Sequence, residues 1–221
     1  MGSLLWQLIP VALFGAIAPL PITVVVTLLM SMGGVFRAIG FAAGLVGVFA
    51  VIGAITLTTA SGRSDSNNTG SAITGTIIAV LGVLFVLLAV KQLVNAPDPD
   101  APPPKFMTAL DTMSVGRASA FGAILALINF KQLGIYIGGI AQIVDADVST
   151  VQQWIALVVL LIILEIGVIA PIVVFVAARE WATRQLRRFA GWLVRHNRVL
   201  GIVLGLVVGI WFIVKGVTQI V

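Results

Sequence analysis

A chain of 221 residues that is 60% hydrophobic and only 10% charged, with mean hydropathy +1.16, carries more apolar surface than a soluble domain of this size can enclose. Disorder, a secreted disulfide scaffold and a coiled coil are excluded, and the composition points to an all-α polytopic membrane protein that forms a single transmembrane domain over residues 1–221. With no cysteine there are no disulfides or thiolate metal sites, with one histidine (His196) no His-rich metal site, and a net charge of +5 reads here as basic cytoplasmic loops and not as a nucleic-acid surface.

Six stretches reach the roughly 20 mostly apolar residues that a bilayer-crossing helix needs. Span 1 covers about Leu4–Met32; it has no basic residue in its first 20 positions and reads as a span, not a cleaved signal peptide. Gly33-Gly34 makes a tight turn into span 2, about Arg37–Ala60. A polar loop, Ser61 to Gly70, leads to span 3, about Ala72–Asn95. Residues 96–114 form a linker whose prolines at 97, 99, 102, 103 and 104 exclude helix. Span 4, about Arg117–Val144, is joined by the short acidic loop Asp145 to Thr150 to span 5, about Val151–Ala178. The basic segment Arg179–Arg198 precedes span 6, about Val199–Gln219.

Lys and Arg counts in short loops set orientation. Arg37, Lys91, Lys105, Arg117, Arg179, Arg184, Arg187, Arg188, Arg195 and Arg198 fall on one side; only Arg63 and Lys215 fall on the other. Both termini are therefore expected outside an inner (plasma) membrane, with the linker in the cytoplasm. Three spans per half, about 1–95 and 115–221, would place homologous halves in opposite orientations, a 3+3 inverted repeat. Gly15-Ala16-Ile17 and Gly122-Ala123-Ile124 are a weak internal match in support.

Ionisable groups inside a membrane are costly and usually functional. Lys131 in span 4 and Glu165 in span 5 each stand 14 residues, roughly 21 Å, from a basic residue at the cytoplasmic end. They share a depth and are expected either to pair or to act in transport. Prolines mark a second cluster. Pro19 and Pro21 withdraw the amide partners of the Gly15 and Ile17 carbonyls, and Pro171 that of Gly167. Carbonyls freed at midplane must be satisfied by protein, water or ligand. The span 1 break together with Asn129, Lys131 and Gln132 reads as a shared polar site.

Ala18-Pro19-Leu20-Pro21 in span 1 and Asn129-Phe130-Lys131 in span 4, in a six-span chain, resemble the lysine-exporter (LysE) superfamily, and most closely its GAP/Sap branch of peptidoglycolipid- and sulfolipid-addressing proteins. The resemblance implies that Pro19, Pro21, Asn129 and Lys131 line a central site. The family has Gly at position 20 and Pro at position 130. Without that second proline, span 4 is expected to be less broken than in the family pattern. The disulfide-reductant carriers of the superfamily need a cysteine pair, and its nickel and cadmium exporters lean on His or Cys ligands; this chain offers neither.

Gly201, Gly205 and Gly209 space small residues four apart in span 6, as do Gly40 and Gly44 in span 2 and Gly134 and Gly138 in span 4. Such faces permit close helix packing, within one chain or across a homodimer. In the basic segment, at about 100° per residue, Ala182, Leu186, Phe189 and Leu193 lie within about 40° of one line, and the arginines lie on the opposite face. An interfacial helix is expected, with its apolar face in acyl chains and Arg184, Arg187, Arg188 and Arg195 on lipid phosphates, alongside a positive-inside anchoring role.

These features predict a secondary transporter or flippase that exports a lipid, glycolipid or similar amphiphile through a midplane site between spans 1 and 4, built from Pro19, Pro21, Asn129, Lys131, Gln132, Glu165 and Pro171. No GxxxxGK[ST] loop is present, so a gradient or a partner would supply energy. A small-solute exporter is the second transport reading, and a non-transporting accessory subunit of a lipid-export machine is the reading from another class. No enzyme, no cofactor and no nucleic-acid partner is expected; membrane lipids are.

Overall fold

The computed structural model describes residues 2–31, 33–61, 69–94 and 110–220, and every regular element among them is helical. The expected linker prolines, Arg63, Lys105 and Asn67 lie outside the described residues. The helices are α1 (Gly2–Ala16), α2 (Pro19–Met30), α3 (Gly34–Ser61), α4 (Thr69–Val94), α5 (Val115–Ile128), α6 (Phe130–Val144), α7 (Thr150–Leu164), α8 (Ile166–Ala177) and α9 (Arg179–Ile220), with a 3-10 turn at Leu110–Thr112.

Residues 34–59 of α3 and 199–218 of α9 are each long and apolar enough to cross a membrane unaided. Three further candidates are bent pairs: α1 with α2 at 58°, α5 with α6 at 71°, and α7 with α8 at 65°. Two to five candidate spans result by length and composition, which supports a membrane location. In α4 the described apolar stretch is Ile78–Val94.

Local chemistry explains the boundaries. Pro19 opens α2 at a position where a missing N–H is no loss. The turn into α3 passes through Gly33 at φ 69°, a conformation that favours glycine. At Gly34 a Cβ would run into the Leu28 carbonyl oxygen. The Ser114 hydroxyl accepts from the Arg117 N–H at the start of α5. Ser149 and Gln152 form a reciprocal capping box before α7.

Two close pairs frame the bundle. Gly40 and Gly44 of α3 lie against the Val115 and Ser119 backbone of α5, and Gly122 of α5 lies against Phe41 of α3. Gly201, Gly205 and Gly209 of α9 meet Gln92, Ala89 and Val86 of α4, while Gly134 and Gly138 of α6 are covered by Phe85 and Phe212. These small-residue faces pack against other helices of the same chain. The broken helices fill the interior. There the Tyr136 hydroxyl of α6 donates to the Phe49 carbonyl of α3 at 2.6 Å, with the two rings edge-on at 4.9 Å.

Three expectations need correction. The basic segment and span 6 are one helix: α9 runs through Gly191 for 42 residues, about 63 Å at 1.5 Å per residue. Its apolar face does not meet acyl chains along its whole length, because Ala182, Leu186 and Leu193 are buried in the protein core. Span 4 is the most sharply bent pair, although it lacks the second proline.

Candidate functional site: a junction of three broken helices

Each break leaves helix-end N–H and C=O groups without intrahelical partners, and the three breaks meet. In the first, the Ala18 N–H turns back to the Ala16 carbonyl at 3.0 Å. The Ile17 carbonyl, which Pro21 cannot serve because it has no N–H, instead accepts from Lys131 Nζ at 3.1 Å. The lysine of the second break therefore closes the first. A cation at the C-terminal end of α1 also complements that helix's dipole.

The second break is centred on Asn129, which leaves helical space at φ −81°, ψ 72°. Its N–H still ends α5 on the Leu125 carbonyl and its own carbonyl still starts α6 by accepting from Leu133. Asn129 Nδ2 donates to Gln132 Oε1 at 3.0 Å. Gln132 Nε2 then donates across to the third break, to Glu165 Oε1 at 2.7 Å and at 3.5 Å to the Leu164 carbonyl. This relay, not a proline, holds the bend.

Glu165 is the hinge residue between α7 and α8, and its backbone carbonyl accepts from both Val168 and Ile169. Its side chain is 0% exposed and Gln132 is 1% exposed. Oε2 of Glu165 is buried and has no hydrogen-bond partner among the described residues. The first and third breaks touch through backbone: a Cβ at Gly167 would collide with the Ala16 carbonyl oxygen, and one at Gly15 with Leu164 and Ile135.

Five of the seven midplane residues expected from sequence gather here: Asn129, Lys131, Gln132 and Glu165 through bonds, and Pro21 through the carbonyl it frees. Pro19 sits at the head of α2, where its carbonyl accepts from the Thr23 hydroxyl at 2.7 Å. Pro171 does not join them. It is buried inside α8, six residues after Glu165. Lys131 and Glu165 are not each other's partners, since one reaches Ile17 and the other is held by Gln132. The two departures from the family pattern point outward, Phe130 65% and Leu20 41% exposed. The Gly-Ala-Ile match does not mark equivalent points: Ile17 lies at a break, whereas Gly122-Ala123-Ile124 lies inside α5.

Arg184, Arg187, Arg188 and Arg195 of α9 are exposed. Phe189, Trp192 and His196 stack in sequence beside them, at 6.4 Å and 4.7 Å between rings. Among the described residues, no group of three His, Cys, Asp or Glu could hold a metal.

An all-helical chain with two to five candidate spans, broken helices and buried polar groups where they meet has the build of an integral membrane protein. The family model of Sap, sulfolipid-1-addressing protein, matches residues 8–218. The chain belongs to that family, which is not a family of enzymes. No curated protein and no solved structure matches it.

Proposed function

We infer that the chain is a six-span secondary transporter or flippase that moves a lipid, glycolipid or similar amphiphile from the cytoplasmic leaflet outward, with α4 as the remaining span and the two halves as an inverted repeat. Membership of a family described as sulfolipid-addressing favours lipid over a small solute. The single observation that carries a transport mechanism is Glu165 Oε2, a carboxyl oxygen buried and without a partner among the described residues where three breaks meet. An ionised carboxylate with a bare oxygen in an apolar surround is costly, and a proton on Oε2 removes that charge. Rearrangement of the Asn129–Gln132 relay would expose the carboxyl and release the proton, coupling a gradient to movement of the halves. Lys131 clamps the first break in the state described.

Mass spectrometry of lipid that stays with the detergent-purified protein tests the substrate class. Enrichment of one polar lipid or glycolipid over the bulk extract is expected. A water-soluble metabolite retained in its place would support the small-solute reading.

A further inference from the structure

A second polar cluster stands away from the junction. Lys215 Nζ donates to Gln7 Oε1 at 2.8 Å and to Gln142 Oε1 at 2.6 Å, tying α9 to α1 and to α6. It also lies 5.3 Å over the Trp211 ring. Gln142 is fixed in turn by donating to the Gly138 carbonyl at 3.0 Å. Asp145, just after α6, acts on Lys215 electrostatically. Among the described residues Lys215 spends two of its three ammonium hydrogens on these amides, and Gln7 is exposed. The cluster therefore offers hydrogen-bond donors and a positive charge.

A groove of about 280 Å³ runs away from this cluster between α1 and α9. Gln7 and Trp211 form its polar end, and Val11, Phe14, Val207 and Val208 line the rest. From Gln7 to Phe14, and from Val207 to Trp211 and on to Lys215, each wall extends about 10 Å. Trp6, 79% exposed, stands on the rim, as tryptophans do at the level of lipid headgroups. The deep end at Phe14 is next to Gly15, which packs on Leu164 at the third break.

We propose that this groove binds one acyl chain of an anionic membrane phospholipid, whose phosphate is held by Lys215 and Gln7. The shape is apolar and long enough for a chain segment. The donors at its end match an oxyanion, and a cation on an otherwise apolar helix face needs such a partner. The site stands on its own geometry and does not require the junction to transport.

Native mass spectrometry of the full chain, released from micelles doped with phosphatidylglycerol or phosphatidylcholine, tests this. The wild type should retain phosphatidylglycerol at least about fivefold over phosphatidylcholine. Val207→Trp, which fills the groove from a half-exposed position, should lower retention of both lipids. Lys215→Met should abolish the preference while leaving apolar retention. Gln7→Leu, at an exposed position, should halve the preference or more, and it serves if Lys215→Met fails to fold. Gly47→Ala, where an added Cβ meets nothing within 4 Å, should leave retention unchanged. Undiminished retention in Val207→Trp, or a preference that survives both Lys215→Met and Gln7→Leu, would overturn the proposal. So would a copy of the chain occupying the groove in a lipid-free dimer.

Discussion

Lys131, Gln132 and Glu165 divide the work at the junction in a way that substitutions can separate. Gln132 is the bonding partner of Glu165. Gln132→Leu removes the donor that Glu165 Oε1 has among the described residues, and a buried group left unsatisfied costs about 1–3 kcal/mol. Thermal unfolding in detergent should show that loss, and the Gln132→Ala/Glu165→Ala double-mutant cycle should return a coupling of about 0.5–3 kcal/mol. A Lys131→Met/Glu165→Gln cycle should be additive within about 0.5 kcal/mol, since the two have no shared partner. A large coupling in that second cycle would mean that the two residues form a pair. Glu165 and Lys131 were legible in the sequence as charges at one depth, and Pro21 as the residue that frees the Ile17 carbonyl. What sequence could not supply was the partner. Depth is read from spacing along one helix, whereas pairing depends on rotation about helix axes and on Gln132, one residue further on, which takes the place that Lys131 was expected to fill.

At the scale of helices, glycine decides which elements touch. Gly44 and Gly122 hold α3 against α5 with no room for a Cβ, whereas Gly47, one turn on in α3, has nothing within 4 Å of where its Cβ would be. Gly122→Ala should therefore destabilise by about 1–3 kcal/mol through overpacking, while Gly47→Ala should be neutral or gain up to about 1 kcal/mol in helix propensity. Equal losses at both positions in a thermal-shift measurement would refute the packing account. The spacing of these glycines was plain in the sequence, but which helix they face was not, because a small face fits any close neighbour. The breaks divide similarly. Proline correctly marked the first, since it fixes where α2 starts. At the third, Pro171 stands inside α8 while the chain leaves helical space six residues earlier, at Glu165. At Asn129 a side-chain relay does what proline does elsewhere, and single-residue propensity carries no sign of it.

Across the whole molecule, α9 links the cytoplasmic-type charge cluster to the membrane span as one continuous rod. Its arginines remain outside while its apolar face is used for packing. Replacing Arg184, Arg187 and Arg188 with Gln should weaken binding to anionic liposomes and flatten its salt dependence without lowering stability by more than about 0.5 kcal/mol, since exposed charges contribute little to folding. Orientation follows from the same charges. A single cysteine at Gln185, in a chain with none of its own, should react with membrane-impermeant maleimide only after the cells are opened; labelling in intact cells would invert the topology. Composition made membrane residence legible from the outset because 60% hydrophobic residues leave no soluble alternative. The joining of the basic segment to span 6 was not legible, since the change from charged to apolar at Val199 reads as a boundary.

The most direct test of the account is lipid movement driven by a proton gradient in proteoliposomes. The outer-leaflet arrival of acyl-labelled fluorescent phosphatidylglycerol, read by a membrane-impermeant quencher, is compared between wild type and Glu165→Gln. The account predicts gradient-dependent movement by the wild type, and movement that no longer responds to the gradient in a folded Glu165→Gln protein. Gradient-driven movement by Glu165→Gln at the wild-type rate would contradict it.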